Sequence, residues 1–166
     1  MMDLKEIIEY EVSYVSYKSR YWNYFKQTFY ICLVCSPISF FSYYSMAFLG
    51  LLVLLKLRRS EKLAHFFLKK LIINPKGNTV ELSYYEKNEL KETKILKLDS
   101  IKIKFDVIST GLESYYKLYF FSVQKPENEV FGQTEISEWS PELLSDMYKT
   151  LTKMKGENPI ISTIYK

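Results

Sequence analysis

Between positions 27 and 55 the chain carries no charged side chain, yet a proline stands inside this run at Pro37. The hydrocarbon core of a bilayer is about 30 Å thick, so a helix needs about 20 apolar residues to cross it. The run therefore reads in three ways. It can be one kinked crossing over 39–57, two crossings joined by a turn at Ser36-Pro37-Ile38-Ser39, or a buried core helix. Pro37 has no backbone N–H and disfavours helix at Ser36, which places a break there. Tyr21, Trp22, Tyr24 and Phe25 would form one interfacial aromatic belt, and Phe41, Tyr43 and Tyr44 the other. Lys18, Arg20 and Lys26 precede the run, and Lys56, Arg58, Arg59 and Lys62 follow it. Cations at both ends favour cytoplasmic ends. Each arm, at about 24 Å, is short for a full crossing, a gap that local thinning or snorkelling of Lys26 would close. The expectation drawn is a transmembrane hairpin over 21–57, preceded by a cytoplasmic segment over 1–20, in a protein integral to the inner membrane.

Composition narrows the function class. A net charge of +4 on 166 residues is too small to argue for a nucleic-acid partner. Aromatic residues make up 17%, which suits strands and membrane interfaces alike. The only cysteines, Cys32 and Cys35, sit inside the apolar run, read as packing thiols and offer no disulfide framework. The acidic opening MMDLKEIIEYE lacks the basic and apolar regions of a cleaved signal peptide. Residues 4–12 fit a short amphipathic helix, whereas Tyr10-Glu11-Val12-Ser13-Tyr14 alternates like a strand that would pair with the distal sheet.

After a basic connector over 58–67 the period becomes that of strands. Leu71-Ile72-Ile73 is closed by the turn Asn74-Pro75-Lys76-Gly77-Asn78. Val80, Leu82 and Tyr84 then alternate with Glu81, Ser83 and Tyr85, and a further strand fits within 90–98. Ile101, Ile103, Phe105 and Val107 alternate with Lys102, Lys104 and Asp106, and a break falls at 109–111. Residues 115–123 are aromatic on both faces, which marks a central strand, and 125–128 turn the chain again. The last strand is expected over 130–136, with Gly132 as a bulge. A closing helix follows: Ser140 caps it, Pro141 opens it, Trp139 and Leu144 have the spacing of a hydrophobic staple, and Gly156 stops it. Its apolar stripe comprises Leu143, Leu144, Met147, Tyr148, Leu151 and Met154, and 157–166 reads as a flexible tail.

This order of parts is IEYEVSY, an apolar hairpin, a basic connector, strands, then EWSPELLSDMYKTLTKMK. It resembles bacterial membrane-anchored proteins with a pleckstrin-homology-like domain. The resemblance implies an α+β fold: a transmembrane helical hairpin, then a small antiparallel partial β-barrel over 68–156 capped by its final helix. It implies no functional residues.

No phosphate-cradling glycine loop, nucleophile elbow or zinc-helix motif is present. His65, the single histidine, reads as packing or solvated, and Glu86, Glu89 and Glu92 as solvated charge. No enzyme activity, cofactor, metal or small-molecule substrate is expected. The candidate sites are surfaces: Lys56, Arg58, Arg59, Lys62, Lys69, Lys70 and Trp22 as a lipid-headgroup or membrane-interface set. Lys102 and Lys104 read as a solvated strand face. The expected partners are membrane lipids and a protein partner or a second copy. The expected function is a non-catalytic, membrane-anchored interaction module, an accessory subunit or adaptor of a membrane complex. The rival is an oligomeric membrane-perturbing effector or channel component lined by Ser36, Ser39, Ser42 and Ser45.

Overall fold

The computed structural model describes residues 6–39, 43–109, 114–124, 129–136 and 138–165. The chain divides into two compact units, a helical one at Val15–Phe66 and an α+β one comprising Met1–Tyr14 and Phe67–Lys166.

The helical unit holds α1 (Tyr17–Ser39) and α2 (Tyr43–His65), which pack on each other. The break expected at Pro37 is not there, since α1 runs through it to Ser39. Residues 58–65, expected as a connector, are the last turns of α2.

The two helices take their charges inside. α1 includes Lys18, Arg20 and Lys26, and α2 includes Lys56, Arg58, Arg59, Glu61 and Lys62. What remains uncharged is 27–39 in one and 43–55 in the other, each about 20 Å of helix against the roughly 30 Å that a crossing requires. No helix of the described residues is long and apolar enough to cross a membrane. The transmembrane hairpin over 21–57, the single span over 39–57 and the inner-membrane location are corrected on this finding. Phe41 and Ser42 lie outside the described residues, as do the side chains of Cys35, Ser36, Pro37 and Ser39.

The α+β unit is built on two sheets, where one partial barrel was expected. Among the described residues, the first sheet has the order β1 (Ile8–Glu11), β2 (Phe66–Asn74), β3 (Thr79–Glu86) and β4 (Glu89–Leu90), with β5 (Lys94–Lys97) also pairing with β3. The second has the order β8 (Glu129–Thr134), β7 (Ser114–Ser122), β6 (Ile101–Ser109) and β9 (Ile161–Tyr165). The N-terminal ambiguity resolves as a strand, with Ile8–Glu11 antiparallel to β2. The segment expected as a loose tail supplies β9, parallel to β6.

Period-two patterning holds where one face is buried. Val80 and Leu82 of β3 are buried, as are Ile101, Ile103 and Phe105 of β6, while Lys102 and Lys104 are exposed. Asp106 departs from the pattern and is buried despite its polar-face position. β7 is central, as its aromatic content implies.

The final helix, α3 (Pro141–Met154), forms as its termini dictate. Ser140 Oγ accepts from the Leu143 N–H at 3.3 Å, and Pro141 fills the first position. Gly156 takes a φ of 68°, with Glu157 N–H donating to Thr152 O and Gly156 N–H to Lys153 O, the paired bonds of a Schellman stop. Leu144, Met147, Tyr148 and Leu151 are buried, while Leu143 and Met154 are half-exposed.

Gly132 is not the bulge. The register shift lies between Phe120, opposite Phe131, and Phe121, opposite Glu129, which leaves Val130 as the extra residue. Gly132 faces Tyr119 and leaves room for an ion pair, since a Cβ there would stand 2.6 Å from Lys117 Cε and overlap Glu129 Oε1. Both obstructing groups are ends of flexible side chains and can move. Gly132→Ala should therefore cost about 1 kcal/mol or less and abolish the Lys117–Glu129 pair at 3.0 Å. Urea midpoints at low and high salt check this: the variant should lose less stability with added salt than the wild type does.

Candidate interaction surfaces

The helical unit carries a second apolar surface beyond the one it buries. Along α2, Leu49, Val53 and Leu57 are half-buried and Ser60 and Ala64 buried, a row at helical spacing. A separate row remains in solvent, comprising Phe48 (63% exposed), Leu51, Leu52 and Leu55 (56%). α1 adds Phe29, Tyr30, Leu33 and Val34, the last 74% exposed. Monomeric proteins rarely leave contiguous apolar surface of this kind open to water.

Of the residues expected to form a lipid-facing set, Trp22, Lys56, Arg58, Arg59 and Lys62 belong to the helical unit and Lys69 and Lys70 to the α+β unit. Trp22 packs along its own helix, its ring 6.2 Å from Phe25 and 5.4 Å from Phe29. On α2, Arg58 and Lys62 are exposed and Lys56 and Arg59 half-exposed. Arg20, one of the expected flanking cations, is buried.

Lys69 and Lys70 lie on β2 and are neutralised by β1. Lys70 Nζ is 2.7 Å from Glu9 Oε1 and 3.8 Å from Glu11 Oε2, and Lys69 Nζ is 3.6 Å from Glu11 Oε1. The Glu9 hydrogen bond holds the Lys70 ammonium above the ordinary lysine range. Once Ile8–Glu11 is read as a strand, the antiparallel register brings these acids and bases together. A headgroup site at this pair would have to displace its carboxylates.

His65 ends α2 with its ring edge-on to Phe66, centroids 4.8 Å apart. Cys32 is a free, half-buried thiol on α1.

In the α+β unit, one face of β6, β7 and β8 carries charge over aromatic rings. Tyr119 and Phe121 stack at 5.6 Å, with Lys117 Nζ 4.3 Å from the Tyr119 centroid and Lys104 Nζ 5.2 Å from that of Phe121. Burial, reinforced by Asp106, pushes the Tyr119 phenol well above its ordinary range. Lys117 is already paired with Glu129. This face satisfies much of its own charge, and Lys102, Lys104 and Glu129 are exposed on it.

Among the described residues, no group of three or more His, Cys, Asp or Glu side chains is placed to hold a metal ion. No protein-family model, curated protein or solved structure matches the chain.

Proposed function

We propose that this protein is a non-catalytic interaction module, an accessory subunit or adaptor of a protein complex, and that the α1–α2 pair is its docking element. One observation carries the reading: the apolar row through Phe48, Leu51, Leu52 and Leu55 lies in solvent, together with Phe29, Leu33 and Val34 of α1. Removing such side chains from water favours association by about 25 cal/mol per Å² of apolar area, so the row gains stability when covered.

Charge selects what covers it. No charge lies within 27–39 or 43–55, so a charged partner face would be desolvated without compensation. The matching surface is apolar, uncharged and helical, and the same pair of helices in a second copy supplies it. Two such pairs joined about a two-fold axis make a four-helix bundle. A pleckstrin-homology-like reading of the α+β unit is part of this proposal, supported by a run of strands from β2 to β8 in two sheets that leads into the single helix α3, with β9 after it as a departure.

Analytical ultracentrifugation of the full chain tests the reading. The wild type should sediment as a dimer or larger closed assembly. Leu51→Glu/Leu55→Glu should sediment as a monomer with the same thermal unfolding of its α+β unit. A wild type that stays monomeric at high micromolar concentration would overturn it.

A further inference from the structure

We infer that the outer edge of β6 is a peptide-accepting site, occupied in cis by β9 and open to an extended, β-branched segment of a partner protein. This site lies in the α+β unit and does not depend on what covers the helices.

The two edges of β6 are held unequally. β7 pairs antiparallel with it over the whole of Ile101–Ser109, whereas β9 pairs in parallel and only from Phe105 to Ser109. Parallel pairing is slightly less stable per residue. β9 follows an exposed linker, Gly156 to Ile160. Tyr148 pins the end of that linker: its hydroxyl donates to Ile160 O at 2.8 Å and accepts from Ile160 N–H at 2.9 Å. Ile160 and Ile161 are themselves 74% and 52% exposed. A short edge strand on an exposed tether, held at its start by one phenol, opens more readily than the core.

The rest of that edge is guarded. Ser100 O accepts from Val123 N–H on the β7 side, so the next carbonyl, that of Ile101, points to the β9 side. There the Lys155 ammonium donates to it at 2.5 Å. Lys155 reaches there from the end of α3, largely buried and ion-paired with Glu157 at 3.1 Å, and so covers that end of the edge. The edge is thus closed at one end by a cation and at the other by a displaceable strand.

Main-chain hydrogen bonds supply most of the affinity when an extended segment adds to a sheet edge, and alternate side chains supply the selectivity. The sequence Ile161-Ser162-Thr163-Ile164-Tyr165 shows what the edge accepts: an uncharged, β-branched segment. A partner segment of that character competes with β9, and its apparent affinity scales with the fraction of chains in which β9 is released.

The test uses a fluorescent peptide of residues 161–166, which lacks the Ile160 that Tyr148 pins, titrated into full-length chains and read by anisotropy. Strand N–H groups alternate between edges, so Ser162→Pro/Thr163→Pro removes at least one that faces β6 and releases β9. Tyr148→Phe releases the tether without touching β9. Each variant should bind the peptide at least about tenfold more tightly than the wild type, and a peptide carrying the two prolines should not bind. Should the double-proline chain fail to fold, Tyr148→Phe decides alone. Native-like melting of Tyr148→Phe without a gain in peptide affinity overturns the inference.

Discussion

Replacing Trp139 with Ala will destabilise the α+β unit by about 3–5 kcal/mol, the range for deleting a large buried aromatic side chain. Trp139 is fully buried just before α3, and its Nε1–H donates to Leu68 O at 2.6 Å. Leu68 N–H in turn donates to Gln133 Oε1 at 2.8 Å, and Gln133 Nε2 donates to Thr134 O at 2.6 Å. Both backbone groups of one β2 residue are therefore satisfied by side chains from the β8 strand and the approach to α3. Leu68 belongs to the first sheet and Gln133 to the second, so these bonds join the two sheets. Trp139→Phe keeps most of the apolar volume and orphans a buried carbonyl, at a cost of about 1–3 kcal/mol. Gln133→Leu orphans the Leu68 N–H at a similar cost, and the double variant should be non-additive because both act on one residue. Urea unfolding with an unchanged slope measures all three. A Trp139→Phe chain as stable as the wild type would show that the hydrogen bond is not what fixes β2 here.

What could be read in the sequence follows from how local each signal is. The α3 termini are written in consecutive residues, and Ser140, Pro141 and Gly156 act as their types require. The alternation in β3 and β6 and the central place of β7 were legible because one buried face leaves a period of two. The link from Leu68 to Gln133 and Trp139 was not, since it spans 65 and 71 positions and depends on how two sheets meet. The helices were misjudged for a different reason. An uncharged run is not the element: the helices begin and end where hydrogen bonding allows and include the flanking Lys18, Arg20, Arg58 and Arg59. Pro37 does not break α1, because it falls in the helix's last turn. The lysine pair at 69–70 could have been found, because IEYE placed opposite LKKL pairs acid with base. β9 gave a weaker signal, a five-residue β-branched segment after a helix stop.

Phe105→Ala should cost about as much as loss of Trp139, roughly 3–5 kcal/mol, and for a reason that ties the sheet to α3. Phe105 is almost fully buried and stacks near-parallel with two rings, Tyr116 of β7 at 5.7 Å and Tyr148 of α3 at 5.6 Å. Stacked rings contribute about 0.5–1.5 kcal/mol beyond the area they bury. Phe105→Leu keeps much of the apolar volume and loses the stack, so it should cost distinctly less than Phe105→Ala. The consequence reaches β9. Tyr148 carries the hydroxyl that pins Ile160, and Phe105 begins the stretch of β6 that β9 pairs with. Weakening the stack frees the Tyr148 ring, so amide exchange in 161–165 should accelerate in Phe105→Leu more than in β7. Denaturant unfolding with near-ultraviolet dichroism measures the first effect, and hydrogen exchange the second. An Ala variant within about 1 kcal/mol of the wild type would mean that α3 holds to the sheet without this stack. Uniform acceleration across β6, β7 and β9 would mean that β9 opens only when the unit unfolds.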